Sequence, residues 1–296
     1  MLRAATRGSA LALQQTRTVE ALLGRPVEAV VVETTGDRRR DAPIWEIGGR
    51  GVFAKEVQAA VLDGRADVAV HSAKDLPSSV PDGLVLAAVP RRADPRDVLV
   101  GATLDDLAPG ALVATGSVRR RAQLAWLRPD LTFTGLRGNI ETRLARAGRY
   151  AAIVTAAAAL DRLGRSAAVA QVLDPAVVVP QVGQGALAIE AREGDDEVLD
   201  ALCAVEHGPS RLAVDAERAY LAELGGGCDL PVGAHAVVGD DGTITLTAVL
   251  ATLEGRIVLR ASGAGRDPAA LGCRVARHLL DEAGGTWLLE GLRGLA

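Results

Sequence analysis

Cys228 is the first residue of this chain that stands out for chemistry. It lies in Gly225-Gly226-Gly227-Cys228-Asp229-Leu230-Pro231, a lone thiol on a glycine-rich loop. Three consecutive glycines let the backbone visit positive φ and approach a ligand closely, and Pro231 fixes the exit. A thiol mounted there suits covalent attachment, because thiolate is a strong side-chain nucleophile. The same segment also reads as a structural turn that holds a small, half-buried cysteine. A second segment, Asp67-Val68-Ala69-Val70-His71-Ser72-Ala73-Lys74-Asp75-Leu76-Pro77, brings a hydroxyl, an ammonium and a carboxylate to the end of a buried-looking strand. In a partly desolvated site Asp75 could move protons or stabilise a developing cation, and Lys74 could hold an acidic substituent. A surface Lys–Asp pair at a proline-stopped turn is the competing reading. His71 reads as a packed residue at a strand end, with no partner visible.

Three further places pair a helix start with arginine: Thr6-Arg7-Gly8-Ser9, Thr115-Gly116-Ser117-Val118-Arg119-Arg120-Arg121, and Leu136-Arg137-Gly138-Asn139-Ile140-Glu141-Thr142-Arg143. Ser9, Ser117 and Asn139 are the expected N-caps. Arginine in a first helical turn opposes the helix dipole, so the pattern makes sense if an external anion sits there. Guanidinium forks and free N–H groups would then bind it together. Three such places suggest a ligand that carries several carboxylates or phosphates. Among 33 basic residues only Lys55 and Lys74 are lysines, so a retained lysine carries more meaning than any one arginine.

These side chains need a scaffold. Short β-branched segments (Val27–Val32, Ala66–Val70, Leu84–Val89, Leu112–Ala114, Ile153–Thr155) alternate with helical patterns (Leu11–Leu23, Phe53–Leu62, Arg119–Leu127, Thr142–Ala147). Alternation of this kind predicts α/β architecture with largely parallel sheets. Breaks fall at Arg91–Asp97, Gln181–Gly185 and Glu206–Ser210. After Gly225 the pattern becomes hairpin strands, Ala234–Val238, Thr243–Leu250 and Arg256–Leu259, followed by a helix over Pro268–Ala283. Gly239-Asp240-Asp241-Gly242 is the expected hairpin connection.

Composition narrows the function. Apolar residues make up 49% of the 296 and aromatics only 2%, so the cores must be built from Ala, Val and Leu. A net charge of −4 argues against a nucleic-acid-binding surface. Cys203, Cys228 and Cys273 are an odd, scattered set, which suits a reducing compartment better than a disulfide scaffold. No metal-ligand spacing, Walker A motif or dinucleotide fingerprint is present. Val182-Gly183-Gln184-Gly185 is a close-approach loop too short for the latter, and Gly48–Phe53 resembles a lid or hinge. The start Met1-Leu2-Arg3-Ala4 reads as no export signal, and the longest apolar stretch, Ala151 to Leu160, is too short to cross a bilayer. The expectation is a soluble, cytoplasmic protein without membrane or nucleic-acid partners.

Taken in order, these segments resemble the porphobilinogen deaminase (hydroxymethylbilane synthase) family. The resemblance is carried by Arg3–Leu13, Gly48–Phe53, Ala69–Pro77, Asp94-Pro95-Arg96-Asp97, Gly116–Leu124, Leu136–Asn139, Val182–Ala186 and Gly226-Gly227-Cys228. It implies two lobes with the fold of type II periplasmic binding proteins, an active-site cleft between them, and a small C-terminal α+β domain. The domains would be 1–90 with 186–204, 96–180, and 208–296. It implies a dipyrromethane cofactor joined to Cys228 by a thioether. Four porphobilinogen molecules would be condensed onto it stepwise with loss of ammonia, and hydrolysis would release 1-hydroxymethylbilane. Asp75 would be the catalytic acid, protonating the departing amine and stabilising the cationic pyrrole. Ser72, Lys74, Thr115, Ser117, Arg119, Arg120 and Arg143 would hold cofactor carboxylates. Arg7, Ser9, Arg137, Arg143, Gln184 and Arg50 would meet the incoming substrate.

Arg50 stands where several members of the family have Lys. A third arginine, Arg121, makes the ligand-facing pair ambiguous, and register with Ser117 favours Arg119 and Arg120. A monomer suffices for this reading. The alternatives are a two-lobed anion-binding protein, a phosphate-ligand transferase and an inactive homologue without turnover. The first needs neither Cys228 nor Asp75, the absence of a phosphate loop and of a metal-carboxylate cluster counts against the second, and replacement of Asp75 or Cys228 would favour the third.

Overall fold

The structure, a computed structural model, describes residues 1–38, 51–225 and 230–293. Arg50 and Cys228 therefore lie outside the described residues. Two compact units divide the chain: Met1–Ala93 with Gly185–Arg211, and Asp94–Gln184 with Leu212–Ala296.

The first segment runs β1 (Leu2–Arg7), α1 (Ala10–Leu23), β2 (Val27–Val32), α2 (Thr35–Arg38), α3 (Lys55–Leu62), β3 (Val68–Ser72) and β4 (Leu84–Ala88). Next come β5 (Asp97–Val100), β6 (Leu112–Ala114), α4 (Val118–Leu127), β7 (Thr132–Thr134), α5 (Ile140–Ala145), β8 (Ala152–Ala156), α6 (Ala157–Arg162) and β9 (Gln171–Val172). The chain continues as β10 (Leu187–Arg192), α7 (Asp196–Cys203) and α8 (Gly208–Glu223). It ends in β11 (Val232–Val238), β12 (Ile244–Ala251), β13 (Val258–Gly265), α9 (Pro268–Arg277) and α10 (Gly285–Arg293).

The two five-stranded sheets are built alike. The first has the order β2-β1-β3-β10-β4, and the second β7-β6-β8-β5-β9. In each, four of the five strands run in one direction, and the fourth in the row, β10 or β5, runs antiparallel to both neighbours. Each antiparallel strand follows directly after the chain has passed from one unit to the other. The central strands are the most buried: β8 is buried throughout, and β3 is buried from Val68 to His71. Parallel strands covered on both faces read this way.

The third sheet, β11-β12-β13, is an antiparallel meander within the second unit. Its hairpin connection is the expected one: Gly239 N–H donates to Thr243 O at 2.9 Å, and Gly242 takes φ 78°. The core beneath it joins Tyr220, Leu246, Leu250, Leu271, Val275 and Leu279. Gly272 of α9 faces α8 so closely that a Cβ would stand 2.5 Å from Ala216 O. Glycine is what allows those two helices to meet there.

Expected and observed elements differ in several places. The sequence pattern predicts no strand at β5, β7, β9 or β10, because each is short or flanked by polar and glycine-rich residues, and no helix at α2, α6, α7, α8 or α10. β13 runs on to Gly265 rather than ending at Leu259; Gly263 and Gly265 weaken its strand pattern. The reason for Gly263 is packing, since a Cβ there would lie 2.9 Å from Val275 Cγ2. The helix expected over Pro268–Ala283 is α-helical only to Arg277 and widens into a π turn over His278–Glu282.

Candidate active site

In the first unit β1 and β3 are neighbours, so their C-terminal ends bring Arg7, Ser72 and Asp75 to one edge of the sheet. Open α/β sheets place ligands outside the carboxyl ends of their strands. Ser9 caps α1 as expected, its Oγ accepting Ala12 N–H at 3.2 Å. The Arg7 guanidinium forks onto Asp37, Nε to Oδ2 at 3.1 Å and Nη2 to Oδ1 at 2.5 Å. It also lies 4.1 Å from the centroid of Phe53. Burial works against the charge on Arg7, but its bonds to Asp37 and the fields of Asp75 and Asp37 hold its pKa above the ordinary value. Burial alone would push the Asp37 carboxyl up; the bonds from Arg7 and Thr34 hold it below the usual carboxylate range.

After β3 a single tight turn, Ala73–Asp75, presents Lys74 and Asp75, both half-buried. Gln15 Nε2 donates to Ser72 Oγ at 2.7 Å and fixes the hydroxyl. Arg7, Ser9, Gln15, Phe53, Ser72 and Asp75 line one small cavity, together with His71. His71 is indeed packed in the strand, and a partner is present that the sequence did not reveal: its Nε2 lies 3.1 Å from Glu190 Oε2 on β10. Glu190 accepts both of its hydrogen bonds from Gln58 Nε2, at 3.0 and 2.9 Å.

In the second unit the two remaining helix starts sit side by side. Gly116 comes so close to Leu136 that a Cβ would stand 2.8 Å from Leu136 O. Ser117 Oγ accepts Arg120 N–H at 3.4 Å, and Asn139 Oδ1 accepts Thr142 N–H at 2.8 Å, so both expected caps are formed. Thr115 Oγ1 accepts Ser117 N–H at 3.2 Å. Arg143 Nε donates to Gly138 O at 2.8 Å, bracing the loop that carries Arg137.

Arg119 and Arg120 are buried, whereas Arg121 is exposed. What holds them is Asp97, the first residue of β5 and wholly buried. Asp97 Oδ2 accepts Arg119 Nη1 at 2.7 Å, and Oδ1 accepts Arg120 Nε at 2.8 Å. Gln184 donates to the same Oδ1 at 2.9 Å and to Pro95 O at 2.7 Å, while its Oε1 accepts Arg120 Nη2 at 3.2 Å. Burial disfavours the Asp97 charge, but the two guanidiniums overcome it and hold its carboxyl far below the usual range. Burial, joined by Arg120, pushes the Arg119 pKa down against the pull of Asp97.

Among the described residues, buried N–H groups of two arginines remain without a protein partner. Arg119 Nε and Nη2, and Arg137 Nη1, are closed off from solvent and make no hydrogen bond. Orphaned buried donors are rare and ask for an acceptor. Planar, cationic N–H edges of this kind suit carboxylates.

The structure thus gathers Arg7, Ser9, Ser72 and Asp75 in the first unit, and Thr115, Ser117, Arg119, Arg120 and Gln184 in the second. Gln184 is fully buried with both amide atoms engaged, so its surroundings make it a support for Arg120. The sequence reading missed Asp97, Asp37, Gln15 and Glu190. None of the four is marked locally: each becomes a partner only when a distant segment folds against it.

Comparison with known proteins adds the chemistry. The family model described as "Porphobilinogen deaminase, dipyromethane cofactor binding domain" matches residues 2–200. The model "Porphobilinogen deaminase, C-terminal domain" matches residues 211–281. The porphobilinogen deaminase of Roseiflexus castenholzii is 50% identical over 297 residues, covering 97% of each chain. That of Brevibacillus brevis is 45% identical, covering 97% of this chain and 96% of its own. Among solved structures, an extracytoplasmic solute receptor of Bordetella pertussis that binds pyroglutamic acid covers 75% of this chain and 83% of its own, at 15% identity and a TM-score of 0.39.

Proposed function

The chain belongs to the porphobilinogen deaminase family, and on that footing we propose how its residues divide the work. The activity is that of a transferase of tetrapyrrole biosynthesis, acting on porphobilinogen and equipped with a dipyrromethane-binding domain. Four porphobilinogen units would be added stepwise with loss of ammonia, and water would release 1-hydroxymethylbilane. Bound dipyrromethane supplies the pyrrole carbon to which the first unit is joined, and Cys228 is assigned as its thioether anchor.

Each pyrrole of such a ligand carries carboxylates, and the N–H groups of Arg119 and Arg137 that lack a partner among the described residues are what fit them. That observation carries the reading. Ser72, Lys74, Thr115, Ser117, Arg119, Arg120 and Arg143 are assigned to the cofactor, with Gln184 behind Arg120. Arg7, Ser9, Arg137 and Arg143 are assigned to the incoming substrate, and Arg50 to the same task. Asp75 is assigned to protonate the departing amine and to face the positive charge left on the pyrrole. Its place beside Arg7 and Ser72 in one cavity supports this. A division into domains 1–90 with 186–204, 96–180 and 208–296, and a monomeric, cytoplasmic protein, complete the reading. The free thiols of Cys203 and Cys273 suit such a compartment.

The test is direct. Purified protein given porphobilinogen should release one ammonia for each porphobilinogen consumed and form one 1-hydroxymethylbilane for every four. Binding of porphobilinogen without ammonia release would leave only an anion-binding protein.

A further inference from the structure

The Asp94-Pro95-Arg96-Asp97 motif has no part in the chemistry assigned so far, yet its last residue organises the second unit's arginines. We propose that Asp97 is a positioning residue for cofactor assembly: it fixes Arg119 and Arg120 so that one edge of Arg119 is left to receive a ligand carboxylate. This rests on the functional reading above.

Charge in this cluster is unbalanced. Asp97 faces two guanidiniums, and among the described residues it is the carboxylate that pairs with either. The buried cluster is therefore one negative charge short, an arrangement that is costly unless an anion completes it. The geometry says where that anion would go. Asp97 and Val179 O both bind Nη1 of Arg119, at 2.7 and 2.6 Å, leaving Nε and Nη2 as the edge without a partner among the described residues. Nε and one Nη present parallel N–H groups, the fork that takes a carboxylate in bidentate fashion.

Arg120 is held differently. Nε binds Asp97, Nη1 lies 3.3 Å from Val154 O, and Nη2 binds Gln184. All three of its nitrogens are engaged, so Arg120 locks Asp97 in place while Asp97 locks Arg119. Gly233 completes the frame. At that residue β11 passes so near that a Cβ would stand 3.0 Å from Arg119 Cδ, and the stem cannot swing that way. Buried ion clusters are seldom more stable than apolar packing of the same volume, so stability alone does not account for this one. Preorganisation of Arg119 does.

The experiment uses protein prepared without porphobilinogen and then incubated with it. Covalent gain of two pyrrole units is followed by intact mass, and urea unfolding gives the folded fraction of each sample. Asp97→Asn should load about tenfold or more slowly per folded molecule, because a misaimed guanidinium loses its carboxylate. Asp97→Glu, which restores the charge one methylene further out, should lie between that variant and the parent. Loading of folded Asp97→Asn at the parent's rate would overturn the proposal, since a merely structural role lowers stability and leaves that rate alone. Should Asp97→Asn fail to fold, Asp97→Glu is read by the same rule: slowed loading supports the proposal, and the parent's rate overturns it. A parent that gains no mass would overturn the functional reading itself, and this assignment with it.

Discussion

Replacing Asp75 by Asn should separate chemistry from structure. The side chain is half-buried, at the end of a one-turn 3₁₀ segment, in a cavity shared with Arg7 and Ser72. Its amide isostere keeps the shape. Arg7 keeps its bonds to Asp37, and Ser72 keeps its bond from Gln15. Stability should therefore move by no more than about 0.5 kcal/mol, as for substitutions that break no buried contact. Catalysis should suffer far more, because an amide can neither give a proton to the departing amine nor face a cation with negative charge. Loss of a positioned general acid costs about 10²–10⁴ in rate, or about 2.7–5.5 kcal/mol of barrier. The assay is ammonia release in a single turnover by protein already carrying its cofactor, beside urea unfolding of the same sample. A variant within about threefold of the parent rate would remove Asp75 from the mechanism. A variant that is slow because it is unfolded would show as a lost urea midpoint.

The remaining expectations concern charge and packing. Arg143→Leu should slow cofactor loading by roughly tenfold to a hundredfold, the worth of about 1.5–3 kcal/mol for a charged hydrogen bond; unchanged loading kinetics would count against a carboxylate partner for it. Asp37, Asp67 and Asp97 have depressed pKa values in the folded state, so their stabilisation is complete above the unfolded value near ~3.9 and is lost as pH falls through the folded values. The urea midpoint should hold from about pH 7 to about pH 5 and drop below about pH 4, whereas a midpoint that rises on acidification would contradict the pairing. Gly272→Ala should gain about 1 kcal/mol of helix propensity and lose about 2–3 to overpacking against the backbone of α8, for a net loss of about 1–2 kcal/mol in urea unfolding. A more stable variant would mean that the helices part easily.

Local signals are legible in this sequence, and long-range ones are not. Ser9, Ser117 and Asn139 cap their helices as expected because an N-cap is a matter of three residues. β2 and β6 fall on the expected residues, since short β-branched runs advertise themselves. β5 and β10 do not, because what makes them strands is an antiparallel place in a sheet assembled from distant segments. The same holds at the site. The arginine-bearing helix starts could be seen in sequence, but the partners that aim them could not. Asp37 is 30 residues from Arg7, and Gln184 is 87 from Asp97. A buried acid is intelligible only once its guanidiniums are in place, and no periodicity announces that. The register of Ser117 singles out Arg119 and Arg120 as the ligand-facing pair, and the structure buries those two while leaving Arg121 exposed.

A covalent primer on Cys228 would show in the intact mass under denaturing conditions. The protein and its Cys228→Ser variant would be weighed before and after incubation with porphobilinogen. The parent should carry an excess of two linked pyrrole units, present at once or gained on incubation, and the variant none. A parent that keeps its bare mass after incubation, or a variant that carries the same excess, would contradict it.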